Sequence, residues 1–165
     1  MISEPKLEQR AAQYYAAKRV AAPIPFGRYL QPAWDEVQRW LKANGIKKYG
    51  PAIIRYLTTD MSKKLDMDVG YIVDKALRGQ SSIVADVLPA GRYVTLRYTG
   101  PYRGKGIFKA NVALLEWAKA NQVVWNTTTK NGIERWNGRA EIYLTDPKKE
   151  SDPKKYKTEL AFLVK

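Results

Sequence analysis

The sequence predicts an α+β fold, a duplicated strand-helix-strand-strand module whose antiparallel sheet carries two main helices on one face with a ligand groove between them. Three observations predict it: two stretches with apolar residues at helical spacing, several β-forming runs bounded by Gly, Pro, Asn or Asp, and a repetition of one half of the chain in the other. With 165 residues the chain can build one domain with a real core, taken as 1–165 and composed of pseudo-repeats at about 10–75 and 83–165 behind a short, mobile or loosely docked leader at 1–9.

Residues 10–22, RAAQYYAAKRVAA, read as helix through their alanines and as strand through Tyr14, Tyr15 and Val20, and Pro23 and Pro25 end the segment either way. A helix is expected over 31–44: Pro32 suits the first turn, Asp35 and Glu36 the positive N-terminal end, and Gly45 the stop. Ala33, Val37, Trp40, Leu41 and Asn44 share its apolar face, with Trp34 at the margin. Gly50-Pro51 introduces a strand over 52–58, and after a polar loop at 59–64 its partner runs over 65–74. ALRGQSS at 76–82 reads as a linker.

The second half opens on a strong strand at 93–98, after Pro89-Ala90-Gly91. Gly100-Pro101-Tyr102 turns into a helix over 105–120 that puts Ile107, Phe108, Asn111, Leu114, Leu115 and Ala118 on one face, with Trp117 beside it. GPYRGKG is not a phosphate-binding loop, because it lacks the spacing and the Ser/Thr, and Pro101 has no N–H. A short strand at 122–125 is followed by a loop at 126–137 with an Asn131-Gly132 turn, an extended run at 138–147, a charged loop at 148–155 and a closing strand at 156–164.

Cysteine and histidine are both absent. That excludes disulfides, Cys or Ser-His-Asp nucleophilic catalysis and His-based metal sites, and leaves an all-oxygen cation site as the one metal chemistry open. No cofactor is expected. No apolar run approaches the ~20 residues of a membrane span, and MISEPKLEQR has no apolar signal segment, so a cytoplasmic protein without membrane insertion is expected. Lys and Arg number 29 against 16 Asp and Glu, a formal charge of +13 that admits nucleic acid as a partner. The basic residues are scattered in doublets such as Lys47-Lys48 and Lys148-Lys149, which reads equally as a solvated surface.

In GRAEIYLTDP, alternation puts Arg139, Glu141 and Tyr143 on one strand face and Ala140, Ile142 and Leu144 on the other, without saying which face turns inward. Facing in, Glu141 is a buried acid with a raised pKa, a hydrogen-bonding partner or a cationic ligand; facing out, it is an edge carboxylate beside Arg139 or Arg135, and strand statistics alone favour the second. The repeat bears on this. Trp40-Leu41-Lys42-Ala43-Asn44 recurs as Trp117-Ala118-Lys119-Ala120-Asn121, Arg55-Tyr56-Leu57-Thr58 as Ile142-Tyr143-Leu144-Thr145, Tyr71-Ile72-Val73 as Phe162-Leu163-Val164, and Tyr15 through Val20 lies on Tyr93 through Tyr98, which assigns 10–22 to strand. Two such units would share one sheet about a pseudo-twofold, with Glu141 standing where the other copy has Ile54.

PAGRYVTLRYTGPY, a helix ending in WAKAN, ERWNGRAEIYLTDP and KTELAFLV, together with PAWDEV and IIRYL in the first half, resemble the GyrI-like small-molecule-binding domain, from about residue 10 to the C-terminus. This is also the effector domain of AraC-type and MerR-type drug-responsive regulators such as Rob and BmrR. The resemblance implies a groove for lipophilic, often aromatic and cationic compounds with Glu141 at its floor. It also implies a possible hydrolase of electrophilic cyclopropane-containing compounds, as some stand-alone members are. No helix-turn-helix is evident in the sequence, so a complete regulator of that type is not expected.

The candidate ligand wall is Trp34, Tyr71, Tyr93, Phe108, Trp117, Trp136, Glu141 and Tyr143, although ordinary core packing is open to each aromatic. Hydrolysis would use Glu141 as base and Tyr143 or Tyr71 as the supporting hydroxyl. The +13 field opposes an approaching cation, an objection that screening limits beyond about 8 Å. Nucleic-acid binding by basic and tyrosine-rich strands is the third class.

Overall fold

The computed structural model describes residues 1–60 and 64–165, so part of the polar loop expected at 59–64 lies outside the described residues. In chain order the elements are β1 (Lys6–Arg10), β2 (Gln13–Ala22), α1 (Leu30–Ala43), β3 (Ala52–Tyr56), β4 (Leu65–Val73), β5 (Ile83–Leu88), β6 (Gly91–Thr99), α2 (Gly106–Ala120), β7 (Thr127–Lys130), β8 (Ile133–Trp136), β9 (Arg139–Tyr143) and β10 (Lys157–Leu163). An eight-stranded antiparallel sheet has the order β1-β6-β10-β9-β3-β4-β2-β5, and β7 and β8 form a separate hairpin. The two helices and the large antiparallel sheet make this an α+β fold.

The strand order is symmetric about its centre. The units β2-α1-β3-β4 and β6-α2-β9-β10 meet where β3 pairs with β9, and there Ile54 lies directly opposite Glu141. Ile54 and Glu141, aligned by the repeat, thus mark the point where the symmetry axis passes between β3 and β9. At the outer ends the symmetry is reciprocal: β1 pairs with β6 of the other unit, and β5 with β2. The register Lys6↔Thr95 to Arg10↔Gly91 continues without a slip into Gln13↔Leu88 to Lys18↔Ile83. β1–β2 and β5–β6 are therefore two long bent strands, and their mutual pairing ties the ends of the sheet together.

Both helices pack on the same face, α1 over β2 and β4, α2 over β6 and β10. Beneath α1 lie Ile54, Met67 and Val69; beneath α2 lie Val94, Leu96, Leu160 and Phe162. The opposite face has its own core of Tyr15, Ile53, Tyr93, Ala140, Ile142 and Leu163. Within it Asp68, fully buried, accepts hydrogen bonds from Tyr15 Oη (2.6 Å) and Arg19 Nε (2.8 Å). Arg55 donates to Val87 O (2.8 Å) and Asn137 O (3.0 Å), linking β3 to β5 and to the entry of β9. Charges buried this way hold only because partners satisfy them, and they fasten the sheet at its closure.

Several expectations are corrected here. The 1–9 leader contains β1, which docks on β6, because an edge strand can be held by backbone pairing without an apolar pattern of its own. The strand β5 follows the linker where none was expected, and the expected strand at 122–125 reduces to one bridge, Trp125↔Val164. The loop at 126–137 is the hairpin β7–β8, whose turn residues Asn131 (φ 54°) and Gly132 (φ 76°) have the positive φ of a primed turn. The extended run at 138–147 is strand only over Arg139–Tyr143.

Each helix ends in the same C-cap. Ile46 N donates to Leu41 O and Gly45 N to Lys42 O, and likewise Val123 N to Ala118 O and Gln122 N to Lys119 O. The left-handed position is Gly45 (φ 73°) after α1 but Gln122 (φ 57°) after α2, where a Cβ is unfavourable. Replacing Gln122 with Gly should raise stability by about 0.5 kcal/mol, read as a higher denaturant midpoint at unchanged slope.

Candidate functional site

Because the helices stand over the outer strands of each unit, β3 and β9 form the floor of the space between them. The row Arg139, Glu141, Tyr143 faces the helices, and Ala140 and Ile142 face the opposite core. Glu141 is 7% exposed, flanked by Ile54 on β3 and Leu160 on β10. Tyr143 Oη donates to Glu141 Oε1 (2.7 Å), and Asn111 Nδ2, from α2, donates to Oε2 (3.2 Å). Tyr56, from β3, adds a further hydrogen-bonding interaction. Under the repeat Tyr56 corresponds to Tyr143 and Asn111 to Trp34, so the acid on the axis is reached by symmetry-related groups from both units.

Burial pushes the Glu141 carboxyl above its ordinary value, and the donors from Tyr143, Asn111 and Tyr56 together with the charge of Arg139 pull it back. Burial and the adjacent carboxylate in turn push the phenols of Tyr56 and Tyr143 well up, so both remain donors at any physiological pH. Arg139 does not pair directly with Glu141. Its guanidinium lies over the rings of Phe162 (4.3 Å) and Trp136 (4.6 Å), and Nη2 donates at 3.5 Å to Asn111 Oδ1, making Asn111 the relay between the two charges. Burial lowers the Arg139 pKa, and its Nε has no partner among the described residues.

The ring of Tyr143 meets Trp34 edge-on at 5.6 Å and Tyr102 at 5.2 Å. Trp34 is anchored by Nε1 to Gly70 O (3.0 Å), and Tyr102 Oη by Thr145 O (2.6 Å). Gly70 has no room for a side chain, since a Cβ there would fall on Ala16 O and 2.6 Å from Ala17 Cα. Shallow concavities lie around Tyr49 and Ile72 and around Pro23 and Arg28. At the floor the rings of Trp34 and Tyr102 pack against Tyr143.

Of the sequence-predicted wall, Trp34, Glu141 and Tyr143 are together. Tyr71 is on the same sheet face, in register with Ala52, which pairs on its other side with Tyr143. It packs edge-on against Tyr49 (5.0 Å), and its phenol is pushed up to about 12, chiefly by burial. Trp136 is buried at the Arg139 end, donating to Thr59 Oγ1 (3.1 Å). Trp117 packs into the core under α2, and Phe108, expected on the inward face, is 63% exposed. Tyr93 lies on the opposite sheet face, bonded to Pro89 O (2.6 Å). Tyr56, Tyr102, Asn111 and Arg139 are additions. For Tyr56 and Asn111 the signal was in the repeat, as counterparts of Tyr143 and Trp34. Among the described residues no three acidic side chains converge as a cation site requires.

Residues 3–165 match the family model of the GyrI-like small molecule binding domain. The chain belongs to the GyrI-like family. Among solved structures, this GyrI-like chain is similar to the C-terminal domain of EcmrR, with a TM-score of 0.76 and 20% identity over 98% of this chain and 97% of that one. SAV2435 bound to tetraphenylphosphonium gives a TM-score of 0.60 at 14% identity over 99% and 94%. A hydrolase from Listeria innocua gives 0.58 at 12% identity over 98% and 92%. At such identities these neighbours establish a shared GyrI-like fold. No curated sequence matches the chain significantly. No helix of the described residues is long and apolar enough to cross a membrane.

Since burial holds the folded Glu141 carboxyl above its ordinary value, the folded state binds that proton more tightly than the unfolded one, and stability falls as pH rises from the unfolded to the folded pKa. Glu141→Gln should remove this fall and leave the protein more stable above it. Tyr143→Phe removes a donor to the carboxylate and should carry the fall to higher pH. Melting temperatures between pH 4 and 9 check both.

Proposed function

We propose that the groove binds a lipophilic aromatic cation, with its charge against Glu141 and its rings among Trp34, Tyr102 and Tyr143. The carrying observation is the balance at Glu141: burial favours the protonated carboxyl, while donors from Tyr143, Asn111 and Tyr56 all favour its ionised form. A cation arriving at the carboxylate tips that balance, and a desolvated cation on an aromatic face adds about 2 kcal/mol. Asp35 and Asp146 bear on Tyr71, and Asp146 on Tyr102, so acids border the groove in spite of the net charge of +13.

Entry requires a covering ring to swing aside at the expense of its anchoring hydrogen bond, about 1 kcal/mol. Trp34 then reports the event by fluorescence. That SAV2435 holds tetraphenylphosphonium supports the ligand class and supplies the probe. Quenching by tetraphenylphosphonium should be saturable and absent in Trp34→Phe. Its affinity should rise with pH through the Glu141 pKa and then level, because binding expels the Glu141 proton. Glu141→Gln should lower affinity at least tenfold and flatten the pH dependence, with neutral triphenylphosphine oxide unaffected. Quenching that ignores both pH and the substitution would reject Glu141 as the cation's partner.

A second reading, hydrolysis, is favoured by the same raised carboxyl pKa beside a phenol at 2.7 Å. Glu141 takes a proton from water, the oxygen bonds to the electrophilic carbon of a strained ring, and the ring bond breaks. Its electron pair moves onto a conjugated carbonyl hydrogen-bonded by Tyr143, and Glu141 returns the proton. Product beyond one equivalent per protein, lost in Glu141→Gln, would establish turnover; stoichiometric binding alone rejects it.

A further inference from the structure

The repeat makes α1 and α2 equivalent, yet one flank of each differs. Along α2 and its N-cap, Lys105, Phe108, Val112, Leu115 and Lys119 follow at spacings of three and four, which stacks them into one row. The Trp40–Trp117 alignment puts Arg28, Gln31, Asp35, Gln38 and Lys42 at the matching positions of the first unit. The basic ends are kept while the three central positions change from polar to apolar. Phe108 is 63% exposed and Val112 37%, with Leu115 half-buried. The row's place is set by Asn111, which faces Glu141: Phe108 lies one turn before it and Leu115 one turn after, so the row forms the groove-side lip of α2.

A helix that is apolar on its buried side needs no second apolar row, and leaving these side chains in water forgoes their burial. We propose that the row is a docking seam for an acidic amphipathic helix of a partner protein. Charge decides the occupant. Lys105 and Lys119 close the row at its ends, Lys109 flanks it, and Glu116 is the one acidic residue in the helix. A second copy of this chain would set lysine against lysine with +13 on each side. An anionic membrane is met by a broad apolar face, whereas a single ridge at this spacing packs into the groove of another helix. Because the α1 row is polar, one partner helix binds per chain.

The test uses two fluorescein-labelled synthetic helices with three leucines at positions i, i+4 and i+7, flanked at both ends by Glu in one and by Lys in the other. Anisotropy titrations are run on the full chain, on Phe108→Gln/Val112→Asp/Leu115→Gln, which carries the α1 residues, and on Phe108→Gln/Val112→Asp, which spares half-buried Leu115. The Glu-flanked helix should bind at one site per chain and at least tenfold more tightly than its Lys-flanked twin, and both variants should lose at least tenfold with unchanged circular dichroism. Equal binding of the two helices, or binding that survives the double variant, overturns the proposal. So does a dimer in sedimentation that the double variant dissolves, which assigns the row to a second copy. Binding to phosphatidylglycerol vesicles that the double variant abolishes overturns it in favour of a membrane.

Discussion

Isolated in an apolar interior, an ionised carboxylate is unsustainable, and a protonated one still requires its hydrogen bonds. Glu141 stands at the middle of the sheet, paired with Ile54 across the symmetry axis, and the structure answers that constraint from several directions at once. Tyr143 comes from its own strand, Tyr56 from the strand across the axis and Asn111 from the helix above. Tyr143 is two residues along the same strand, but Tyr56 and Asn111 are near Glu141 only because β3 and β9 pair in this register and α2 lies at this height. The buried acid is thus fully partnered only in the finished fold.

The near-symmetry explains why so few positions carry so much. Two equivalent units supply two helices, two floor strands and two C-caps, and the differences between them are local. Ile54 becomes Glu141, Trp34 becomes Asn111, and a polar helix row becomes an apolar one. The first two turn a symmetric apolar floor into a polar one with an aromatic wall on one side and an amide on the other. On the opposite face, the pairing of β1–β2 with β5–β6 and the contacts of Arg55 and Asp68 close the sheet behind the floor.

Both helices were legible because their apolar positions recur at helical spacing and Pro32, Gly45 and Gly100-Pro101 mark their limits. The strands β4, β6, β9 and β10 were legible because they alternate between turn signals. β1, β5 and the β7–β8 hairpin were not. KLEQR is held by backbone bonds to β6, and TTTK with IERW by an Asn-Gly turn that the sequence displayed but that was read as a loop. Of the candidate wall, Trp34, Glu141 and Tyr143 lie together, although alternation along β9 left their face open, whereas Tyr93 lies on the opposite sheet face and Phe108 in solvent. A strand residue's face depends on a parity that local sequence sets only when one side is polar, and both sides of β6 and β9 are buried.

The sequence alone determined the class of fold, the duplication and the one acid that breaks it, because periodicity, turn residues and repetition are properties of the chain read along its length. It also excluded cysteine and histidine chemistry. Only the tertiary structure decided that the Glu141 face looks towards the helices, that Tyr56 and Asn111 reach it, and that Arg139 is held off by aromatic rings. Burial and partnership at a point depend on elements far apart in the chain, as where β1 is paired with the second half through β6 and Arg10 reaches Glu159. No local pattern encodes which of them arrives.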